Sequence, residues 1–160
     1  MTEKYVFAIT NFTKLTKLSL DVIQESTFVR TGRVPQSLYS GISQLANLTS
    51  LRVWFGGSSH DDLPHLVGKL PNLKYLDIPR ITTSLPPFLQ YNRMIPGVYF
   101  DDMYELRSNA LYLFKSNASI KFVRINSSIF ECCDGANVVS RDGISRWFDE
   151  RVRYISELGV

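Results

Sequence analysis

The chain of 160 residues contains only two cysteines and two histidines. The cysteines, Cys132 and Cys133, are adjacent in sequence, and a disulfide between neighbours is strained. We therefore expect two free thiols. The histidines, His60 and His65, share one short stretch, and the sequence contains no second cluster of metal-ligating residues with suitable spacing. These scarcities argue against a disulfide-stabilised fold and against a metal site.

Sequence motifs of catalysis are also missing. Gly56-Gly57 is not followed by the Lys-Ser/Thr pair of a phosphate-binding loop. The sequence contains no G-x-S-x-G nucleophile motif, and neither cysteine comes with an evident base partner. We therefore predict a protein that is not an enzyme, has no catalytic residues and needs no cofactor.

The chain has little charge imbalance and no long apolar run. The 18 basic and 15 acidic residues give a net charge of +3, which is too small and too dispersed to indicate a nucleic-acid surface. No run approaches the roughly 18 apolar residues of a membrane span, and the N-terminal apolar run is too short for a secretory signal. These features predict a cytoplasmic protein without nucleic-acid or membrane partners. Four glycosylation sequons, at Asn11, Asn47, Asn117 and Asn126, favour a secreted protein instead, and this alternative stays open.

A three-then-two spacing of aliphatic residues recurs along the chain. It has leucine at the first two positions in three copies, and two looser copies have other apolar residues there. The copies are Leu15-Leu18-Leu20, Leu48-Leu51-Val53, Leu73-Leu76-Ile78, Ile95-Val98-Phe100 and Ile120-Val123-Ile125. The first step turns the chain inward, and the second is the alternation of a short strand. One copy per 22–33 residues fits a repeat made of one strand and one return segment.

Two stretches resemble the leucine-rich repeats of intracellular immune receptors and F-box adaptors. They are Ile42-Ser-Gln-Leu-Ala-Asn-Leu-Thr-Ser-Leu51 and Val67-Gly-Lys-Leu-Pro-Asn-Leu-Lys-Tyr-Leu-Asp-Ile78. The resemblance covers about residues 12–126 and is to a repeat class. It implies an α/β leucine-rich-repeat solenoid with about five parallel strands and helical or irregular return segments.

Apolar residues at helical spacing predict helices over residues 35–46, 63–70, 101–115 and 140–158. Because a solenoid needs an atypical element over its last core layer, we expect residues 1–128 to form the solenoid and residues 129–160 a C-terminal cap with the helix at 140–158. The alternative is that Trp147 and the arginines of this helix dock a partner.

The residues between the strand leucines are expected to line the concave face of the sheet. Parallel strands stack about 4.8 Å apart, so equivalent residues form columns. Aromatic and arginine side chains, which dominate binding hot spots, are frequent in these columns. The candidate partner-binding residues are Arg52, Trp54, Tyr75, Asp77, Tyr99, Asp101, Phe122 and Arg124, with Tyr99 and Asp101 placed between the third and fifth strands. The alternative is that Arg52–Asp77 and Asp101–Arg124 are only cross-strand ion pairs.

The sequence thus predicts a non-catalytic module that recognises a protein partner through its concave face. By resemblance, it would be the C-terminal part of a substrate adaptor or receptor. The alternative function is a self-associating structural protein, in which the exposed N-terminal end of the solenoid forms a homodimer interface.

Overall fold

The computed structural model describes residues 12–22, 36–55, 62–79, 102–134, 137–141 and 143–152. Within these ranges the chain forms one six-stranded sheet and four helices. The elements are β1 (Lys17–Val22), α1 (Gln36–Ser43), β2 (Ser50–Phe55), α2 (Leu63–Gly68), β3 (Tyr75–Ile78), α3 (Asp102–Ser116), β4 (Phe122–Ile125), β5 (Ser128–Cys133), β6 (Asn137–Ser140) and α4 (Ser145–Val152). The fold is therefore mixed α/β, as the sequence predicts. None of these helices is long and apolar enough to cross a membrane.

The strands lie in the order of the sequence, from β1 to β6. The first four are parallel, whereas β5 and β6 are antiparallel to their neighbours. The prediction of about five parallel strands was therefore wrong in both number and direction. The sequence-predicted strand at 95–100 lies outside the described residues. No strand lies between β3 and β4, where this one was predicted, because these two strands pair directly, with Tyr75 opposite Phe122.

The four parallel strands are joined by a hydrogen-bond pattern that repeats from layer to layer. Just before each strand, one carbonyl accepts two backbone N–H groups of the next layer at 2.8–3.1 Å. Thr16 accepts from Thr49 and Ser50, Thr49 from Lys74 and Tyr75, and Lys74 from Lys121 and Phe122. The same register places the strand leucines of successive layers in one column, with Leu51 opposite Leu76 and Leu76 opposite Val123.

A side-chain ladder follows the same repeat. The residue immediately before each first inward aliphatic donates to a backbone carbonyl of the preceding layer. The three bonds are Asn47 Nδ2 to Thr13 O at 2.8 Å, Asn72 Nδ2 to Ala46 O at 2.8 Å and Ser119 Oγ to Pro71 O at 2.6 Å. All three bonds lie at the surface, where each contributes modestly to stability. The fourth layer uses a serine hydroxyl where the second and third layers use asparagine.

The main core lies between the sheet and three helices. Each helix contributes buried apolar residues to the same cluster as the inward strand residues Leu51, Leu76, Val123 and Phe130. Successive helices contact each other, and α3 also contacts β4, β5 and β6. The antiparallel strands therefore extend the core that the parallel strands begin.

Asn117 stands where the two preceding layers have leucine. Its buried amide donates to Val67 O at 2.8 Å and to Leu70 O at 2.7 Å, and its Oδ1 accepts the N–H of Ser119 at 2.8 Å. These bonds tie the turn before β4 to the end of α2, and they add to the backbone bonds that Val67 O and Leu70 O accept from the N–H groups of Leu70 and Leu73. Both amide hydrogens are used, so a glycan on this sequon is incompatible with the fold.

The last helix begins later than the sequence predicts. Ser140 belongs to β6, Gly143 has a φ of +81°, and α4 begins at Ser145. Residues 153–158 lie outside the described residues. Instead of lying over the end of the parallel layers, α4 crosses the face of the sheet opposite α1–α3 and contacts β2 and β3.

Candidate protein-binding face

The sheet has a second face, which we call the outer face. It carries the residues that alternate with the inward aliphatics, and strand register places them in two rows. One row contains Lys17, Ser50, Tyr75, Phe122 and Glu131, and the other contains Ser19, Arg52, Asp77, Arg124 and Ile129.

Five of the predicted partner-binding residues meet on this face. They are Arg52, Tyr75, Asp77, Phe122 and Arg124, on strands β2 to β4. Trp54 belongs to β2, but its side chain is not among those described. Tyr99 and Asp101 lie outside the described residues. The columns that placed Tyr99 between Asp77 and Arg124, and Asp101 between Pro79 and Asn126, are excluded by the direct pairing of β3 with β4.

Asp77 is the charged centre of the outer face. Its side chain is fully buried, with 0% exposure. Arg124 donates to both carboxylate oxygens, from Nε at 3.0 Å and from Nη2 at 2.7 Å. Arg52 Nη1 lies 3.8 Å from the same carboxylate, so the predicted Arg52–Asp77 pair is present. A buried carboxylate needs such compensation, because transferring a lone charge out of water is very costly.

Arg124 connects this centre to α4. Its Nη1 donates to Asp149 Oδ1 at 2.5 Å. The hydrogen bonds to Asp77 and Asp149 raise the pKa of Arg124 above its usual range, the bond to Asp77 having the larger effect, so the guanidinium stays charged. The sequence paired Arg124 with Asp101, whereas the structure pairs it with Asp77 and Asp149.

An aromatic cluster lies beside the charged centre. The rings of Tyr75 and Phe122 are nearly parallel, with centroids 6.0 Å apart. Trp147 of α4 meets both rings edge-on, at 4.8 Å from Phe122 and 6.3 Å from Tyr75. Edge-to-face contacts in this distance range are favourable because of the ring quadrupoles.

The buried side of α4 completes the cluster. Phe148 and Val152 are buried against Ile129. Phe148 also lies edge-on to Tyr75 at 6.3 Å, and the Arg124 guanidinium lies 4.8 Å from its ring centroid. On the other side of the helix, Arg146 is 94% exposed. The outer face therefore holds an amphipathic helix through aromatic contacts and one ion pair.

Sequence reasoning missed Phe148 and Asp149 as parts of this site. The available signal was the amphipathic pattern of the last helix, which predicts an apolar side made of Ile144, Trp147, Phe148, Val152 and Ile155. The first four pack in this cluster, and Ile155 lies outside the described residues. That pattern does not say which surface the apolar side covers.

Part of the outer face remains exposed beside α4. Lys17 and Ser19 of β1 are exposed, and the Arg52 side chain is 35% exposed. The Arg151 guanidinium stacks on Trp147, with Cζ 3.7 Å from the ring centroid. Cationic and hydroxyl groups thus border the aromatic cluster on the β1 side.

A concavity of about 310 Å³ lies between α1 and α2. Within it, Gln36 Nε2 donates to Asp62 at 3.4 Å, and Ser43 Oγ donates to the backbone oxygen of Ser40 at 2.8 Å. Across the described ranges, no group of three or more His, Cys, Asp or Glu side chains is placed to hold a metal ion. The outer face is therefore the stronger candidate for a functional site.

Comparisons of the chain with protein-family models, with curated proteins and with solved structures found no match. The function must therefore be argued from the outer face itself.

Proposed function

We propose that this chain is a non-catalytic recognition module of the leucine-rich-repeat type. Its four parallel layers form a short solenoid, and its outer face binds a partner protein. Two observations support the repeat assignment: the paired backbone bonds recur in each layer, and the side-chain ladder recurs with them.

The observation that carries the binding function is the way the outer face holds α4. Tyr75 and Phe122 provide a flat aromatic floor, and Arg124 provides a fixed cation beside it. Aromatic and arginine side chains supply much of the energy of protein interfaces, because they bury large areas and keep polar groups for specific bonds. A surface that holds one peptide helix in this way is chemically suited to a helix of another protein.

Site-specific cross-linking tests this proposal. A photoreactive residue is placed at Ser19, exposed on the outer face opposite Arg52 in register, or at Ser40, exposed on α1. In native lysate we expect a cross-linked partner protein from the Ser19 position alone. Arg52→Gln should lower the yield about thirtyfold, the factor that corresponds to a hot-spot contribution on the order of 2 kcal/mol.

Lys69→Gln is the matched control, because Lys69 is exposed just after α2, among the helices on the opposite face. It should leave the cross-linking yield unchanged. Equal cross-linking from Ser40, or a yield that Arg52→Gln does not change, would contradict binding at the outer face.

A second candidate function is self-association through the β1 end of the sheet. In the described part of the chain, β1 pairs only with β2. Leu15, Leu18 and Leu20 are only partly buried, although the equivalent residues of the next layer are fully buried, and Phe12 is 59% exposed. In the same experiment, a cross-linked product made of two copies of this chain would favour this function over the first.

A further inference from the structure

We propose that α4 is a displaceable occupant of the binding site, and that the partner is an amphipathic helix of the same pattern. This inference rests on the proposed function and specifies its partner and its regulation. The pattern has aromatic residues at positions i and i+1, an acidic residue at i+2 and an aliphatic residue at i+5. In α4 these are Trp147, Phe148, Asp149 and Val152.

The first observation is that α4 depends on the outer face for its structure. Its described part has eight residues, and isolated helices shorter than about 12–15 residues are marginal in water. Its other surface is polar and exposed, as Arg146 shows. The helix is therefore ordered by its contacts with the sheet, and it is drawn from the low-stability end of the fold.

The second observation is that the rest of the fold does not need α4. The inward residues of the sheet pack against α1, α2 and α3 in a separate core cluster. Before α4, the N–H of Arg141 bonds to Ile129 O at 2.8 Å and closes the β5–β6 pairing. Gly143 then adopts a φ of +81°, which marks a turn between the sheet and the helix. Departure of α4 would leave the sheet and its three helices intact.

The third observation is that the sheet itself holds the arginine of the outer face in place. One edge of the Arg124 guanidinium, Nε and Nη2, is fixed by Asp77, while Nη1 is left for an incoming carboxylate. Arginine has enough donors to serve both carboxylates at once. The cation is therefore held in place by the sheet, and an acidic residue at i+2 of a partner helix meets it directly.

The fourth observation is that the face cannot stay empty without cost. Without α4, the rings of Tyr75 and Phe122 and the side chain of Ile129 would form a contiguous apolar surface in water, which is unfavourable. An exchange of α4 for another helix avoids this exposure. The partner helix and α4 therefore compete for one site.

The test uses a labelled peptide with the sequence of residues 144–152 and the full chain. In the wild type, α4 competes at an effective concentration on the order of millimolar, so the peptide binds weakly. Asp149→Lys in the chain sets a cation beside Arg124 and weakens α4. We expect this variant to bind the peptide about tenfold more tightly than the wild type does, as measured by fluorescence anisotropy.

Glu150→Lys is the matched control in the chain. It makes the same charge change at the next residue, which is 58% exposed and, among the described residues, pairs with Arg146 of the same helix at 3.6 Å. Its affinity for the peptide should equal that of the wild type. A control peptide with Phe148→Ser should not bind, because it lacks the aromatic residue that is buried in α4.

Phe148→Ser in the chain is a second way to release α4, through loss of its buried anchor. Failure of both Asp149→Lys and Phe148→Ser to bind the peptide more tightly than the wild type would overturn displacement. Equal binding by wild type, Asp149→Lys and Glu150→Lys would also overturn it. If the Ser19 cross-link to a partner persists in that case, recognition stands and displacement alone fails. If the cross-link is also missing, both proposals fail.

Discussion

Replacement of Asp77 by asparagine is expected to lower the free energy of unfolding by about 3–5 kcal/mol. The carboxylate is fully buried, and it compensates Arg124, whose side chain is only 15% exposed. Its loss would leave Arg124 with Asp149 alone and Arg52 without its carboxylate. Removing one partner from a buried group of charges costs more than the value of the bond itself. Urea denaturation followed by circular dichroism measures the change.

Glu131→Gln is the control for this prediction. Glu131 pairs with Arg141 on the exposed part of the sheet, where the two side chains are 28% and 45% exposed. Water screens such a pair, so its loss should lower the free energy of unfolding far less than the loss of Asp77 does. A similar loss for Asp77→Asn and Glu131→Gln would mean that Asp77 does not anchor the charged centre of the outer face.

Phe130→Ala is expected to lower the free energy of unfolding by about 3–5 kcal/mol, the usual cost of deleting a buried phenylalanine ring. Phe130 is fully buried in β5 and lies opposite Val123 of β4. It belongs to the same core cluster as the leucines of the parallel layers. The variant should therefore unfold in one transition, shifted as a whole, when circular dichroism and tryptophan fluorescence are followed together.

Val139→Ala provides the comparison, because Val139 lies on the neighbouring strand but is 38% exposed. Its effect should stay within about 0.5 kcal/mol. Two separate transitions, with only one shifted by Phe130→Ala, would mean that residues 1–128 and 129–160 unfold as independent units.

The sequence predicted the elements whose signal is local. The spacing of leucines in the three strict copies located β1, β2 and β3, because inward turning and strand alternation depend on neighbouring residues only. The helical spacing of apolar residues likewise predicted helices that overlap α1, α2 and α3. Strand order within these layers followed from the repeat.

The number and direction of the strands were not predictable in the same way. The copy at 95–100 contains no leucine, and any aliphatic residue satisfies so loose a pattern. Pairing of β3 with β4 is a tertiary property that short spacings do not encode. For the antiparallel pair β4–β5, the sequence has only a weak turn signal, the asparagine in the two-residue connection. In the structure Asn126 adopts a φ of +57°, a conformation that asparagine tolerates.

The sequence predicted which strand residues lie side by side in the candidate site, but it did not predict that α4 covers them. Register between β2, β3 and β4 brought Arg52, Asp77 and Arg124 together, because parallel strands align equivalent positions. The place of α4 depends on how its apolar side fits the aromatic floor, which involves residues far apart in sequence. The expectation of an open concave face therefore omitted the helix that covers it.

Hydrogen exchange of the backbone amides of α4 in the wild-type chain tests most directly whether this helix is displaceable. We expect these amides to exchange through a local opening, with a free energy on the order of 2 kcal/mol or more below that of the amides in β3 and β4. The free energy of this opening should depend less steeply on denaturant than that of global unfolding, because the opening exposes less surface. Amides of α4 that exchange only with global unfolding, at the same free energy as the strands, would contradict a displaceable helix.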